Sequence, residues 1–520
     1  MTEDLPGVDT GGPAEHAGIL ERHGIEPIPD AERTATLVDF LRIEWGGLNS
    51  LATAVLGAFP IIFGLSFTQA LAATALGVVL GALVLAPMAI FGPITGTNNA
   101  VSSSAHFGVV GRIVGSFLSL LTAVAFFSIS VWASGDAAVG ALHHLFEVRE
   151  SDALFATAYA VFAISVLVVC IYGFRLMLFV NKIAVVAATL LFGVGFIAFA
   201  GRFDTGFAGA GYAWGGARFW PPFIASTLVV LANPISFGAF LGDWTRYLPR
   251  DTDRRALMGT STLAQLLSLI PFGFGLMTTT LIARSAPQYL EQVDYTGGLL
   301  AVAPAGFFGP LLVLAVLSGM STGTTSLYGT GLDFSSVFPR LTRPRATVLI
   351  GCVSILLIFV GRFAFNLVDA ITTFVSLIVV TTTPWMVIMM LGYVMRRGYY
   401  LPDAMQVFNR GAEGGAYWFH GGWNLAGTGA WIASAVLALL TVNMPGHFVG
   451  WLGNLAGGLD VSILAALVLP AMLYPLFLRV FPEPLAVFGP EGPRWAPAVD
   501  RPITPVVARR PRRAHQAGLR

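Results

Sequence analysis

The stretch NPISFG, residues 233–238, lies inside IASTLVVLANPISFGAFLGDW (224–244), one of the most apolar runs of the chain. A closely similar word, FPIIFG, occupies residues 59–64. Proline removes a backbone donor and clashes with the carbonyl four residues back, so each word breaks a helix. In hydrocarbon every freed backbone group needs a partner within the protein. Two such breaks in apolar runs therefore mark places where polar backbone is put to use. Pro60, flanked by Gly57 and Gly64, predicts unwinding in the middle of the first apolar segment; Pro234, with Gly238 and Gly242, predicts the same in the sixth.

The rest of the composition fixes the surroundings of those breaks. Of 520 residues, 55% are hydrophobic and 11% charged, with a mean hydropathy of +0.75. A soluble domain carries about 25% charged residues, and apolar runs of about 18 or more recur along this chain, each long enough to span a bilayer as a helix. The protein reads as an all-α polytopic membrane protein. Hydropathy and turn signals give twelve spans, near 46–67, 70–91, 113–134, 154–173, 179–201, 219–241, 258–283, 308–330, 346–361, 366–395, 426–446 and 461–482. Residues 1–45 and 483–520 read as flexible polar tails, the latter basic, and 396–425 as a loop before the last two spans. The first 45 residues have no early apolar core and do not read as a signal peptide.

With this assignment, alternate loops on one side hold thirteen arginines and lysines against five on the other, which places both termini in the cytoplasm of a cell-membrane protein. Net charge of +1 gives no general attraction to nucleic acid. Cys170 and Cys352 both fall in apolar runs and read as buried small hydrophobes. No HExxH, Walker A, nucleophile elbow or Cys/His metal spacing is present, so the chain does not read as an enzyme, and no cofactor is implied.

Breaks in the first and sixth spans are what two five-helix units of inverted topology would give, an odd number of spans turning the second unit over. Paired Gly/Pro interruptions at corresponding positions point to a transporter's central site. A third signal comes from the eighth span, LSGMSTGTTSLYGTG (317–331), where Ser318, Ser321 and Thr322 share one helix face by i, i+3, i+4 spacing. With carbonyls from the first break they form an oxygen cage without formal charge, suited to Na⁺. Among the intramembrane acids Asp136, Asp243, Asp333 and Asp369, Asp243 is explained by Arg246 three residues on. Asp136 in WASGDA is the candidate proton carrier, which keeps H⁺ coupling open.

Several segments resemble the nucleobase:cation symporter-1 family, the purine–cytosine permease group, over about residues 24–480. They are GIEPIPDAERTATLVDFLRIEWGGLNS (24–50), GPITGTNNAVSSSAHFGVVGRIVGSFLSLL (92–121), LGDWTRYLP (241–249), RRGYYLPDA (396–404) and YWFHGGWN (417–424). The resemblance implies a leucine-transporter-like 5+5 inverted repeat, about 46–201 and 219–395, plus two C-terminal helices. It also implies alternating access; a monomer without a nucleic-acid partner is expected beside it. It places a sodium ion on carbonyls of Gly57 and Pro60 or Ile61 with Ser318, Ser321 and Thr322. For the substrate it puts Phe126 where relatives stack a tryptophan on a flat ring, and Ala123 where they carry a glutamine. Pro234 takes the place of an aromatic at the sixth-span break. Phe127 and Phe237 are the alternative ring walls, and Asn233 and Ser236 the polar contacts. The implied function is cation-driven import of a planar nitrogen heterocycle, a purine or cytosine-type base. A heterocyclic vitamin, a nucleoside or an amino acid or amine is the alternative.

Overall fold

The structure, a computed structural model, describes residues 24–338, 341–364, 367–444 and 448–508, without the side chains of 343, 361–373 and 375. The side chain of Asp369, residues 1–23 and the basic stretch RRPRR (509–513) lie outside what is described. Among the described residues, eight helices are long and apolar enough to cross a membrane, and a ninth crossing is a bent pair, Leu37–Leu48 with Leu51–Ile62. Two shorter apolar helices, Pro344–Val360 and Leu425–Leu440, and the helix Trp220–Ser236 stand where the remaining spans are expected. This order accords with twelve crossings. Large apolar side chains point outward from the bundle, among them Leu190, Ile197, Leu356 and Met472, each more than half exposed. In water this would be costly, and in lipid it is required.

The first span differs from its sequence reading in position and in where it breaks. It covers 37–62 rather than 46–67, and its two halves meet at 54° across Asn49 and Ser50. Ser50 caps the second half by accepting from the Thr53 N–H at 3.3 Å, and the Thr53 hydroxyl donates to the Leu48 carbonyl at 2.6 Å. Those bonds satisfy groups that a straight helix would have paired internally. Pro60 instead sits inside the second half-helix, whose last residue is Ile62. Thr36 and Asp39 form a capping box that starts the first half, which is why a segment carrying Asp39, Arg42 and Glu44 can be helical.

The sixth span behaves as its sequence predicts. The helix Trp220–Ser236 ends two residues after Pro234, residues 237–241 turn, and a short helical turn, Gly242–Thr245, follows. The Pro234 ring lies against the second span, Phe67–Leu85, where a Cβ on Gly81 would stand 2.6 Å from its Cγ. The third span, Ile113–Phe146, and the eighth, Phe308–Val337, run together through the middle of the bundle. Their contact uses small residues: the Ser130 hydroxyl donates to the Gly319 carbonyl at 3.2 Å, and Gly319 faces Ser134.

Both polar tails prove partly structured, correcting the expectation of flexible ends. Residues 24–36 pack beside the loop after the second span: the Ile28 N–H donates to the Gly96 carbonyl at 2.9 Å, and the Arg33 guanidinium donates to Ile28 and Pro93 carbonyls. Beyond the last span, Ser462–Val480, the chain returns over the loops. Glu483–Pro484 pairs with Ala498–Val499, and Val507–Ala508 pairs with Ala412–Glu413. Val487 and Phe488 are buried. The anchor is a buried ion pair between Arg396, just past the tenth span, and Glu483. Arg396 also donates to the Ala105 carbonyl at 2.7 Å and to His106 Nδ1 at 2.7 Å. Burial, and next the neighbouring Arg396 charge, push the His106 imidazole well below its ordinary value, so it stays neutral, accepts at Nδ1 and gives its Nε2–H to Tyr400. Asn424 donates to the remaining Glu483 oxygen at 2.6 Å.

Candidate functional site

The break in the first span brings its backbone against the hydroxyl-rich eighth span. The Thr322 hydroxyl donates to the Gly47 carbonyl at 3.0 Å. The Ser321 hydroxyl bonds the side-chain oxygen of Asn181, on the fifth span Phe174–Ala198. Gly46 is the residue that lets these groups close in: a Cβ there would stand 2.2 Å from Asn181 Oδ1 and 2.7 Å from Ser321 Oγ. Gly47 is likewise hemmed by Thr325 Oγ1 at 3.0 Å. Ser318 Oγ and Asn49 Oδ1 are buried with no hydrogen-bond partner among the described residues. Buried polar atoms without partners are rare and call for an explanation. The result is a cluster of neutral oxygens from three spans, able to replace the hydration shell of a hard monovalent cation.

Ser318, Ser321 and Thr322 are all buried, and Ser321 and Thr322 make the bonds to the fifth and first spans just described. Gly57, Pro60 and Ile61 do not join them. A Cβ on Gly57 would meet the Phe272 carbonyl of the seventh span at 2.3 Å, so that glycine serves helix packing. The Pro60 and Ile61 carbonyls accept from Leu65 and Gly64 N–H groups, and Ile61 belongs to a separate apolar cluster with Phe219 and Leu276. Pro60 is eleven residues past Asn49, about 16 Å along a helix. On the first span it is the Gly46–Gly47 backbone that meets Ser321 and Thr322. Their signal was WGGLNS (45–50), a glycine pair followed by a Ser-x-x-Thr cap. Asn181, in FVNKIAVV (179–186), carried no comparable signal.

The sixth-span break lies beside the first. Phe237 ring carbons come within 3.1 Å of where a Gly47 Cβ would be, and the same ring packs on Phe240 and Trp244. Asn233, 2% exposed, has an amide nitrogen with no hydrogen-bond partner among the described residues. The Ser236 hydroxyl is committed to the Asn233 carbonyl. On the third span Phe127 is fully buried, and Phe126 meets Phe374 of the tenth edge to face, centroids 5.8 Å apart.

The acids divide by role. Asp136 accepts from the Tyr159 hydroxyl of the fourth span. Asp333 accepts from Ser119 and from Asn98 at 3.4 Å, tying the eighth span to the third and to the loop before it. Asp243 lies over Gly329. Arg246 donates to the Gly24 carbonyl at 2.6 Å and to Tyr247 and Tyr328. Cys170 is buried, as expected; Cys352 is exposed on the ninth span, and both are free thiols. No group of His, Cys, Asp and Glu that could hold a metal ion occurs among the described residues.

The family of permeases for cytosine/purines, uracil, thiamine and allantoin matches residues 27–462. The chain belongs to that family. It is therefore a membrane permease and not an enzyme. A putative purine-cytosine permease of Bacillus subtilis is 25% identical over 470 residues, covering 88% of this chain and 96% of that one. The purine-cytosine permease fcyB of Emericella nidulans is 25% identical over 325 residues, 60% and 61% of the two chains. The vitamin B6 transporter TPN1 of Saccharomyces cerevisiae is 36% identical over 95 residues, 17% of this chain and 16% of its own. Among solved structures, the nucleobase-cation-symport-1 family transporter Mhp1, closed with bromovinylhydantoin bound, superposes with a TM-score of 0.68. That match has 17% identity and covers 89% of this permease and 97% of Mhp1. A Na⁺-coupled sialic acid symporter superposes with a TM-score of 0.53 and 12% identity, over 86% and 91% of the two chains. These likenesses establish the fold of the permease.

Proposed function

We propose that the permease imports a planar nitrogen heterocycle, a purine or cytosine-type base, by symport with a cation. It alternates access about the paired breaks of the first and sixth spans. The observation that carries this reading is the junction itself: the Gly46–Gly47 backbone meets Ser321 and Thr322 on one side and Phe237 on the other. An ion seated in the oxygen cluster would hold the first break, and that break touches the aromatic turn of the sixth. Binding of either ligand then favours the arrangement that receives the other, which is the reciprocity symport needs. Na⁺ suits the neutral oxygens of Ser318, Ser321, Thr322 and Asn181.

For the base, Asn233 supplies an unpaired donor and Phe237 an aromatic face. We assign Phe126 as a second ring wall, with Phe127 as its alternative, while Ser236 shapes the turn through its bond to the Asn233 carbonyl. Relatives named for purine and cytosine transport support the substrate class, and the excess of Arg and Lys on one side supports cytoplasmic termini in the cell membrane. We take the working unit to be a monomer.

The test is uptake of labelled cytosine, adenine and hypoxanthine into proteoliposomes with imposed Na⁺ or H⁺ gradients. Micromolar competition by bases and none by amino acids is the expected pattern; displacement by amino acids alone would favour the amine reading. Uptake indifferent to both gradients would remove symport, and absence of saturation and counterflow would indicate a channel. Phe126→Ala should weaken base binding far more than Phe126→Trp, read from competition curves, and equal effects would turn Phe126 away from the site. Asn233→Ala should cost about tenfold in affinity, the worth of one hydrogen bond of about 1.4 kcal/mol.

A further inference from the structure

The loop between the last two spans carries the two most exposed large apolar side chains among the described residues, Trp451 at 86% and Leu455 at 80%. Its described residues are 441–444 and 448–460. An exposed side chain on an unbraced loop says little, but this loop is braced throughout. Asn443–Met444 pairs with Phe448–Val449. The Gly450 N–H donates to the Val442 carbonyl and the Leu452 N–H to the Leu440 carbonyl, both at 2.8 Å. The Asn443 side chain donates to the Gly453 carbonyl at 2.9 Å and to Asn454 Oδ1 at 3.2 Å. Asp460 accepts from the Asn443 N–H at 3.0 Å and from the Ser462 N–H at 2.8 Å. On the tenth span, the Ser376 hydroxyl donates to Met444 Sδ at 2.9 Å.

The depth of this loop follows from the helices that carry it. The eleventh span, Leu425–Leu440, has 16 residues, about 24 Å at 1.5 Å per residue. The hydrocarbon core is about 30 Å thick. The other end of that helix is fixed by its cap Asn424, which donates to Glu483 in the buried charged cluster with Arg396. The shortfall of about 6 Å therefore falls at Leu440, and any tilt enlarges it. From residue 441 on, the chain lies where acyl chains meet headgroups. Irregular backbone is tolerated near that depth when its polar groups are paired within the protein, as they are here. Composition agrees: residues 441–459 contain no Asp, Glu, Lys or Arg, and their one ionisable side chain, His447, lies outside the described residues. The helices leading into and out of the loop carry Ile432, Val436, Leu464 and Val468, each half exposed or more, so the lipid-facing belt runs up to it.

We propose that the loop between the last two spans is a membrane anchor, seated at the boundary of acyl chains and headgroups with Trp451 and Leu455 inserted. Its partner is a neutral lipid interface. An indole brings an apolar body and an N–H that headgroup oxygens accept, and apolar area rather than charge drives the insertion. The anchor sets the depth of the last two spans on the face opposite Arg396 and Glu483. Through Met444 and Ser376 it also holds the tenth span, whose Phe374 meets Phe126.

Both side chains are exposed, so substituting them leaves the packing intact. Nitroxide labels on single cysteines of the whole permease in phosphatidylcholine vesicles test the anchor. The labelled variants are Trp451→Cys, Leu455→Cys and, for comparison, Glu150→Cys in the exposed loop after the third span. Each also carries Cys352→Ser, while Cys170 is buried. Oxygen concentrates among acyl chains, and a nickel chelate stays in water. The chelate should reach the labels at 451 and 455 at least about tenfold less than the label at 150, because a polar solute enters the boundary only at a cost. Oxygen should reach them more readily. Chelate access equal to that at 150 would put the loop in water and overturn the anchor. Shielding from both reagents would mean that protein, such as a second copy, covers the loop, and would overturn it as well. So would protection that arises only when anionic lipid is added. A second measurement uses the native side chain: brominated phosphatidylcholine should quench a smaller share of the tryptophan fluorescence in Trp451→Phe than in wild type. An unchanged share overturns the proposal.

Discussion

Glu483→Ala is expected to destabilise the folded permease by about 3–5 kcal/mol, the cost of leaving one member of a buried ion pair alone. The guanidinium of Arg396 is fully buried and Glu483 is 1% exposed, so no water replaces the lost carboxylate. His106 is neutral and engaged with Tyr400, and so cannot take up the role. Asn424 loses its acceptor in the same substitution. Thermal unfolding in detergent, followed by the monodisperse fraction on size-exclusion chromatography, reads the effect. Glu483→Gln should fall between the alanine variant and wild type, since it retains hydrogen bonds without charge. Unfolding of Glu483→Ala at the wild-type temperature would mean the pair contributes nothing.

Gly46→Ala is expected to abolish cation-dependent substrate binding while leaving the protein folded. The added Cβ would fall within 2.2 Å of Asn181 Oδ1, and a side-chain amide can turn away from it, at the expense of the oxygen cluster. Ser321→Ala combined with Thr322→Ala should produce the same phenotype by removing oxygens rather than displacing them. In each case the apparent sodium affinity, read from the sodium dependence of base binding, should drop by at least about tenfold, or about 1.4 kcal/mol. Gly57→Ala serves as the comparison, because it disturbs packing on Phe272 and not the cluster. Unaltered sodium dependence in Gly46→Ala would place the ion elsewhere.

How much of this was legible in the chain varied with the kind of signal. NPISFG marked a break within the span because, two residues after Pro234, the helix gives way to the turn 237–241 and the chain resumes in the short helix Gly242–Thr245. FPIIFG misled because the helix holding Pro60 also ends two residues later, but there the chain leaves the span and goes on to the next helix, Phe67–Leu85. The true break lay under WGGLNS, next to Asp39, Arg42 and Glu44, whose charges made residues 37–48 look like an aqueous tail. Those charges are accommodated by a capping box, a local ion pair and two neutral donors, none visible to a hydropathy window. Ser321 and Thr322 were found because helix periodicity alone puts them on one face. Asn181 is 140 positions from Ser321, and only the folded chain brings them together.

The return of the chain over its own loops bears on the order in which the protein is made. Arg396 is enclosed by the loop carrying Ala105 and His106, yet its counter-charge lies 87 positions later. Until ribosomes deliver that residue and the last two spans are inserted, the guanidinium has carbonyl and imidazole partners and no anion. The membrane-spanning bundle thus waits, incompletely stabilised, for one glutamate that is translated after the last helix of the described residues. A chain stopped short of residue 483 would carry a buried unneutralised charge, which makes truncated products recognisable to quality control by their instability rather than by any sequence tag.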